Sequence, residues 1–260
     1  MASEEWAVAL FRRSALKQRK LAEITRMLGP TGGRRCLDLG SDNGVISLML
    51  RRGGGRWASA DLTEEAVVSI RELVASDVHL VSGDRLPFAD GEFDCVAVVD
   101  MLEHVRDEHA FVSELGRILR PGGRLVVNTP HLRHTALRRL RDYVGLTDAK
   151  HGHLRPGYTA DGLRRLLEGS GSFSWDAHRT YSRAFSEAVD LALNWGVARL
   201  GKGHSPKGMV VTGRDMARHR NAFRAYSVIY PAVKAFSSLD ALIPRAAGYM
   251  LVAAATRLGS

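Results

Sequence analysis

Short apolar runs alternate with amphipathic helical patterns along residues 34–130, and this alternation constrains the fold more than any other feature of the chain. The predicted strands are 35–39, 56–60, 78–82, 93–99 and 124–128, and the predicted helices are 44–52, 63–75 and 106–119. Such alternation predicts an α/β fold, a doubly wound and mostly parallel sheet with helices on both faces. Ligands of these sheets bind beyond the carboxyl ends of the strands. Functional residues are therefore expected where strands end, as at Asp38, Asp61, Asp84 and Asp100.

The segments on either side of this region predict additions to the sheet. Residues 4–28 form one amphipathic helical pattern, and 159–168 form another. Residues 172–182 and 248–257 predict two more strands, which makes seven strands in all. The expected organisation is an N-terminal helical segment (1–33), a ligand-binding core (34–182), a helical cap inserted before the last strand (183–247) and a final core strand (248–260).

Length and composition indicate a globular protein. The 260 residues are 45% hydrophobic, which is enough to bury a full core. No run approaches the roughly 18 to 20 apolar residues of a membrane span, and Glu4 and Glu5 do not fit a signal peptide. The sequence therefore predicts a cytoplasmic protein. Cys36 and Cys95 fall in predicted core strands, so two reduced packing residues are expected rather than a disulfide or a metal cluster.

The net charge of +9 is spread unevenly along the chain. Residues 36–130 hold nine Lys and Arg against sixteen Asp and Glu, so the basic charge lies in the flanking segments. A basic periphery can attract an anionic substrate, a phospholipid surface or nucleic acid. Solvated helix faces in an arginine-rich chain explain the same pattern, and both interpretations stay open.

The segment "LDLGSDNG" (37–44) predicts a ligand-binding turn after the first strand. Gly40 and Gly44 are four residues apart with Asp42 between them, which does not fit the G-x-G-x-x-G spacing of a dinucleotide-binding loop. Gly40 permits the turn, and Gly44 would let the start of the helix approach a ligand closely. Asp38, two residues ahead of the turn, suits a ligand with a cationic amino group better than a pyrophosphate.

Four motifs carry a resemblance to a known family: "CLDLGSDNG" (36–44), "ASADLT" (58–63), "VSGDRLPFADGEFDCVAVVDMLEHV" (81–105) and "LRPGGRLVVNTP" (119–130). In this order and spacing they resemble class I S-adenosylmethionine-dependent methyltransferases. The similarity covers residues 34–130, with weaker similarity up to residue 168. The resemblance implies a Rossmann-like methyltransferase core, S-adenosylmethionine as cofactor and methyl transfer as the activity.

The resemblance also implies which residues bind the cofactor. Asp61 corresponds to the acid that binds the ribose hydroxyls, about 20 residues after Gly40. Asp84 would bond the adenine amino group, with neighbours beside the ring. The full expected set is Asp38, Gly40, Ser41, Gly44, Asp61, Leu62, Asp84, Arg85, Leu86 and Asp100.

Asp42 stands where the family usually has a glycine. An Asp can tolerate an unusual φ in a turn, so the loop can keep its shape. The Asp also puts negative charge near the methionine carboxylate, which would weaken binding. A non-catalytic partner protein with this fold therefore stays an alternative.

Asp100, Glu103 and His104 stand at positions i, i+3 and i+4, which would share one face of a helical turn. This spacing resembles the acid-x-x-Glu-His cluster that quinone-biosynthesis O-methyltransferases use with a divalent metal. Carboxylates and imidazole are suitable ligands for Mg²⁺, Mn²⁺ or Zn²⁺. The favoured interpretation is metal-free, with Glu103 and His104 shaping the cofactor pocket.

The segment "HGHLRPGYT" (151–159) supplies further catalytic candidates. Thr159 is a predicted N-cap for the following helix, and His153 is a candidate general base or substrate contact. The predicted catalytic set is His104, His153 and Asp100, with His151 and His131 as weaker candidates. A purely structural role for these histidines is the alternative.

The expected acceptor is a small, apolar or lipid-linked molecule, methylated at oxygen. The aromatic residues of the predicted cap suit a cover over an apolar compound. RNA methylation is the alternative that the basic flanks favour, but no nucleic-acid motif accompanies them. Residues 199–244 could also contact the membrane surface from the cytoplasmic side, although ordinary helix packing explains the same pattern.

Overall fold

The computed structural model describes residues 2–83, 85–147, 152–200 and 213–259. Its helices are α1 (Ala2–Arg12), α2 (Ala15–Leu28), α3 (Val45–Arg52), α4 (Glu64–Val74), α5 (Glu108–Ile118), α6 (Ala136–Tyr143), α7 (Ala160–Gly169), α8 (Ala184–Leu200) and α9 (Gly213–Ser238). Its strands are β1 (Arg35–Leu39), β2 (Arg56–Asp61), β3 (Val78–Leu80), β4 (Phe93–Val99), β5 (Leu119–Pro130), β6 (Phe173–Tyr181) and β7 (Met250–Arg257). Short 3₁₀ turns cover Leu102–His104 and Leu239–Leu242.

The seven strands form one sheet in the order β3-β2-β1-β4-β5-β7-β6. Strands β1 to β5 run parallel to one another, whereas β7 lies antiparallel between β5 and β6. The prediction of a seven-stranded, mostly parallel sheet is therefore confirmed. The strand order reverses between β1 and β4, which is where open sheets of this kind bind ligands.

Side chains at alternate positions of the strands pack into two hydrophobic cores, one on each face of the sheet. Leu37 and Leu39 of β1 belong to the core formed with α5 and α7, whereas Cys36 belongs to the core formed with α1, α2 and α3. Cys36 and Cys95 are buried, free thiols on adjacent strands, with their sulfur atoms 3.2 Å apart. The predicted burial of the two cysteines in core strands is confirmed.

The N-terminal segment differs from the single helix predicted over 4–28. The chain forms α1 and α2 with a break at Ser14, because the Ser14 side chain caps α2 by accepting from the backbone N–H of Lys17 at 3.3 Å. Gln18 Nε2 donates to the carbonyl oxygens of Phe11 and Arg12 at 3.0 and 2.9 Å, which satisfies the end of α1. An N-cap inside a continuous amphipathic pattern therefore splits the helix.

The inserted segment 183–247 is tied to the core by one buried carboxylate. Asp240 has no exposed surface, and it accepts from the backbone N–H groups of Arg183 and Phe185 at 2.7 and 3.1 Å, at the start of α8. It also pairs with Arg19 of α2 at 3.0 Å. A carboxylate at a helix N-terminus is favourable because of the partial positive charge there. Asp240 thus joins α2, α8 and the 3₁₀ turn after α9.

Among the described residues, no helix has the length and apolar character needed to cross a membrane. Within the segment 199–244, α9 exposes Val228, Ile229 and Phe236, with 80%, 54% and 43% of their surface accessible. Contact of this segment with a membrane surface stays a prediction.

Candidate active site

Three strand ends lie side by side at one edge of the sheet. β1, β2 and β4 are parallel, and β1 pairs with both of the others. The loop 40–44 follows β1, Asp61 ends β2 and Asp100 follows β4. The backbone N–H of Asp42 donates to Asp61 Oδ2 at 3.3 Å, which connects the loop directly to the neighbouring strand end.

Asp38 lies inside the protein rather than on the ligand side of the loop. Its carboxylate has no exposed surface and accepts hydrogen bonds from the hydroxyls of Ser41, Ser47 and Ser59 at 2.7, 2.6 and 2.8 Å. Arg51 Nη1 lies 3.3 Å from its Oδ1. Cofactor binding by Asp38 and Ser41 stays a prediction, although internal donors occupy the Asp38 carboxylate and the Ser41 hydroxyl is one of these donors. The two residues hold the loop in shape from within.

Three residues of the loop adopt positive φ: Gly40 (+83°), Asp42 (+53°) and Gly44 (+76°). A Cβ on Gly40 would come within 2.5 Å of the Val99 carbonyl oxygen, so only glycine fits there. A Cβ on Gly44 would come within 2.8 Å of Ile70 Cα. Gly44 therefore allows α3 to pack closely on α4, and its close approach to a ligand stays a prediction. Asp42 confirms that an Asp can take the left-handed conformation in this loop.

Asp61 is a desolvated carboxylate beside the loop. Its side chain accepts from the backbone N–H of Leu62 at 2.8 Å and from that of Asp42 at 3.3 Å. Burial raises the pKa of Asp61 to about 6, the two backbone donors oppose this shift, and the negative charge of Asp42 adds to it. Asp61 is 9% exposed, so an ionised carboxylate here lacks the hydration that a surface Asp has. Such a group suits hydrogen-bond donors of a ligand.

The residues expected around the adenine ring differ in exposure. Leu62 and Arg85 are exposed, whereas the Leu86 side chain is 3% exposed and packs in the core. The Leu86 backbone N–H donates to Glu114 Oε2 at 2.9 Å, which fixes this segment from inside. Contact of Leu86 with the adenine ring stays a prediction. Asp84 lies outside the described residues.

Asp100 is held at the end of β4 in a strained conformation. Its φ is +47°, which is uncommon for a residue other than glycine. Its carboxylate forms an ion pair with Lys20 Nζ and accepts from Asn128 Nδ2 at 2.7 Å. Tyr181 donates in turn to Asn128 Oδ1 at 2.5 Å. Burial lowers the pKa of Lys20, but the facing Asp100 carboxylate more than offsets it, so the net shift is upward.

Glu103, His104 and His153 form a cluster in which one ligand atom of each lies within 4.8 Å of those of the others. The two imidazole rings meet edge to face with centroids 4.8 Å apart. Thr129 Oγ1 donates to Glu103 Oε2 at 3.2 Å, and the Nδ1–H of His104 donates to the carbonyl oxygen of Gly152 at 2.9 Å. This second bond leaves Nε2 as the basic nitrogen of a neutral His104.

The predicted grouping of Asp100 with Glu103 and His104 on one helical face is wrong. The helical turn begins at Leu102, and the left-handed Asp100 precedes it and pairs with Lys20 instead. His153 takes its place in the cluster. His151 lies outside the described residues, and burial lowers the pKa of His131, whose Nδ1–H donates to the Gly248 carbonyl oxygen at 2.9 Å.

A cavity of about 360 Å³ adjoins these groups, and its wall includes Asp100, Glu103 and His153. The rest of the wall comes from helices α2, α6 and α8, from the ends of β5, β6 and β7 and from residues next to these elements. Loop 40–44 and Asp61 lie outside this wall, so the site has two adjoining parts that meet near Asp100.

Sequence reasoning did not identify Lys17 and Lys20, although both line the cavity. They lie on α2, and their spacing of three residues places them on one helix face. That periodicity was visible in the sequence, but nothing local showed that this face turns toward the strand ends. Asn128 and Tyr181, which support Asp100, were also missed.

The fold agrees with what comparison to known proteins finds. Residues 37–127 match the family model described as a methyltransferase domain. This region is a methyltransferase domain. The match covers β2, β3 and β4 in full, together with the loop after β1. The predicted resemblance to class I S-adenosylmethionine-dependent methyltransferases is confirmed. The family implies S-adenosylmethionine as cofactor.

The curated relatives of this methyltransferase domain include enzymes of quinone biosynthesis. The demethylmenaquinone methyltransferase of Clavibacter sepedonicus is 36% identical over 107 residues, which are 40% of this chain and 44% of the relative. The ubiquinone biosynthesis O-methyltransferase of Xylella fastidiosa is 34% identical over 121 residues, 44% of this chain and 49% of the relative. The chain thus matches less than half the length of either relative.

A solved methyltransferase structure shares the whole fold. The geranyl diphosphate C-methyltransferase of Streptomyces coelicolor superposes with a TM-score of 0.57 at 15% identity, over 94% of this chain and 78% of that protein. An identity this low shows the fold alone. It shows that the similarity in fold extends well beyond the methyltransferase domain of residues 37–127.

Proposed function

We propose that this protein binds S-adenosylmethionine at the ends of β1 and β2 and transfers its methyl group to a small acceptor held in the adjoining cavity. The observation that carries the proposal is the placement of Asp61, a desolvated carboxylate hydrogen-bonded to loop 40–44. A ribose offers two hydroxyl donors, and a poorly hydrated carboxylate is a strong acceptor for them. The bound cofactor supplies a methyl group on a positively charged sulfur.

The residues around the cavity favour acceptor binding next to this cofactor site. Methyl transfer depends mainly on holding the nucleophile in line with the methyl group. Lys20 and Asn128 fix Asp100 where the two parts of the site meet, which suits a positioning role. We propose that Asp100 orients the acceptor.

Oxygen is the proposed methylation site because a base lies at the cavity wall. An oxygen nucleophile usually has to lose a proton. His153 lines the cavity and lies against His104, whose Nδ1–H is fixed by Gly152. We propose that His153 accepts the proton and that His104 and Glu103 hold its ring in place.

A metal ion is the alternative use of the Glu103–His104–His153 cluster. Two imidazoles and one carboxylate fit Zn²⁺, Mn²⁺ or Fe²⁺ better than Mg²⁺, which prefers an all-oxygen site. Because Thr129 already donates to one oxygen of Glu103, we favour the metal-free role. Metal dependence of binding or turnover would reverse this choice.

Calorimetric titration with S-adenosylhomocysteine, the demethylated cofactor, tests the proposal. We expect micromolar affinity that is unchanged by EDTA, Mg²⁺ or Zn²⁺. 5′-Methylthioadenosine, which lacks the amino-acid part, should bind more weakly. If S-adenosylhomocysteine fails to bind under every condition, the methyltransferase proposal is wrong and a non-catalytic role replaces it.

A further inference from the structure

The acceptor cavity has a more basic wall than an apolar acceptor requires. Its charged wall residues include five Lys or Arg and four Asp or Glu. Two of the basic side chains are matched within the wall, Lys20 by Asp100 and Arg133 by Glu187 at 2.7 Å. Lys17 on α2 and Arg141 on α6 have no acidic partner among the described residues, and Arg138 of α6 lines the cavity beside them.

Lys17 is a partly buried ammonium group that forms no ion pair within the part of the chain that the structure describes. Desolvation lowers the pKa of Lys17, the positive charge of Lys20 lowers it further, and the charges of Asp42 and Asp100 do not restore it. A charge that is withdrawn from water without a partner destabilises a protein. Binding of an anion beside Lys17 would remove this penalty.

The helix that carries Lys17 adds to the positive potential. Lys17 lies in the first turn of the 14-residue α2, and Ser14 and Leu16 of the same turn also line the cavity. The N-terminus of a helix carries a partial positive charge and favours anions. The side chain and the helix end therefore favour the same kind of ligand.

Arg138 and Arg141 are one turn apart on α6 and both line the cavity. Arg138 Nη2 donates to the carbonyl oxygen of Pro156 at 3.3 Å, and Arg141 Nε donates to that of Leu146 at 3.0 Å. These bonds orient the two guanidinium groups. A guanidinium has five N–H donors, so Arg141 retains donors for a carboxylate or a phosphate.

We propose that the methyl acceptor carries an ionised acidic group, a carboxylate or a phosphate, which Lys17 and Arg141 bind. This inference rests on the proposed function and names its substrate class. The apolar wall residues Leu16, Leu193 and Met250 receive the rest of the molecule. A fully apolar acceptor would leave Lys17 partly buried without a counter-charge.

A pair of probes of nearly equal shape tests the charge requirement. The protein saturated with S-adenosylhomocysteine is titrated by calorimetry with 3,4-dihydroxybenzoate and with its uncharged methyl ester. We expect the acid to bind at least about tenfold more tightly than the ester. Phenyl phosphate, titrated in parallel, distinguishes the two acidic groups, because tighter binding than that of the benzoate identifies phosphate as the preferred one.

Matched variants assign the preference to residues. Lys17→Gln and Arg141→Gln should each reduce the preference for the acid to about threefold or less, whereas Lys17→Arg should keep it. Arg139→Gln is the control, because Arg139 is an exposed residue of the same helix and does not line the cavity. Thermal unfolding of each variant verifies that it folds.

Two results would overturn the inference while leaving the proposed function intact. One is normal binding of S-adenosylhomocysteine with no anionic probe bound more tightly than the ester. The other is a Lys17→Gln variant that loses affinity for S-adenosylhomocysteine but not for 5′-methylthioadenosine, which would assign Lys17 to the cofactor carboxylate. Failure of S-adenosylhomocysteine to bind at all would instead contradict the proposed function itself.

Discussion

The backbone N–H of Asp42 donates to the carboxylate of Asp61 at 3.3 Å, and the carboxylate of Asp42 raises the pKa of that same group. The residue that replaces a family glycine therefore acts on the proposed ribose-binding acid in two opposite ways. Its backbone stabilises the ionised form of Asp61, and its side chain destabilises it. Binding of the cofactor and ionisation of Asp61 should consequently be linked.

The first prediction concerns the pH dependence of cofactor binding. Burial raises the pKa of Asp61 to about 6, and the ionised form is the better acceptor for ribose hydroxyls. The Kd of S-adenosylhomocysteine should be constant from pH 7 to pH 8 and should increase about tenfold by pH 5. Titration calorimetry across this range measures it. A Kd that is flat down to pH 5 would contradict the role of Asp61.

The second prediction concerns the stability cost of the same carboxylate. Because the pKa of Asp61 is higher in the folded state than the ordinary 3.8, the folded protein loses stability as pH rises from about 4 to about 6. The penalty is fully present above pH 6. Asp61→Asn should therefore increase the free energy of unfolding by about 1–3 kcal/mol at pH 7.5.

Urea unfolding at pH 7.5 and pH 4.5 checks this gain, which should shrink at the lower pH. Glu65→Gln is the control, because Glu65 is an exposed carboxylate in the first turn of α4, close in sequence to Asp61. Equal effects of Asp61→Asn at the two pH values would show that burial of charge is not the cause.

The third prediction concerns Asp42. Asn tolerates the left-handed conformation that Asp42 adopts at φ +53°, so Asp42→Asn removes only the negative charge. Without that charge, the pKa of Asp61 should fall and the methionine carboxylate should meet less repulsion. Affinity for S-adenosylhomocysteine should increase about three- to tenfold at low ionic strength, with a smaller gain at high salt. Weaker binding would mean that the Asp42 side chain contacts the cofactor favourably.

The fourth prediction concerns Asp38. Asp38→Ala removes the acceptor for three buried hydroxyls and the partner of Arg51. Breaking a buried ion pair on one side costs about 3–5 kcal/mol, and urea unfolding should show a loss of that size. The exposed Asp90, replaced by Ala, is a control expected to change stability by less than about 1 kcal/mol. A small effect of Asp38→Ala would show that the network contributes little.

Much of the fold follows from local patterns. The strands at 35–39 and 93–99 were predicted with the boundaries that the structure has, because continuous apolar runs bounded by polar residues define a strand buried on both faces. The break at Ser14 was missed, because residues on both sides of it continue one amphipathic pattern. An N-cap inside such a pattern cannot be told from an ordinary helical serine.

The site could be predicted only where contacts are local or follow a family motif. The positive φ of Asp42 and the strand-end placement of Asp61 are of this kind. The contact of His153 with His104 and the pairing of Lys20 with Asp100 join residues 49 and 80 positions apart. Such contacts depend on how the helices pack against the strand ends, which local periodicity does not specify.

The most direct test of the central claim is the affinity of Asp61→Ala for S-adenosylhomocysteine, measured by calorimetry at pH 7.5 beside the wild type and Glu65→Ala. We expect Asp61→Ala to bind at least about tenfold more weakly, a loss of roughly 1.4 kcal/mol, while it stays folded and Glu65→Ala matches the wild type. A folded Asp61→Ala protein with unchanged affinity would contradict the proposed cofactor site.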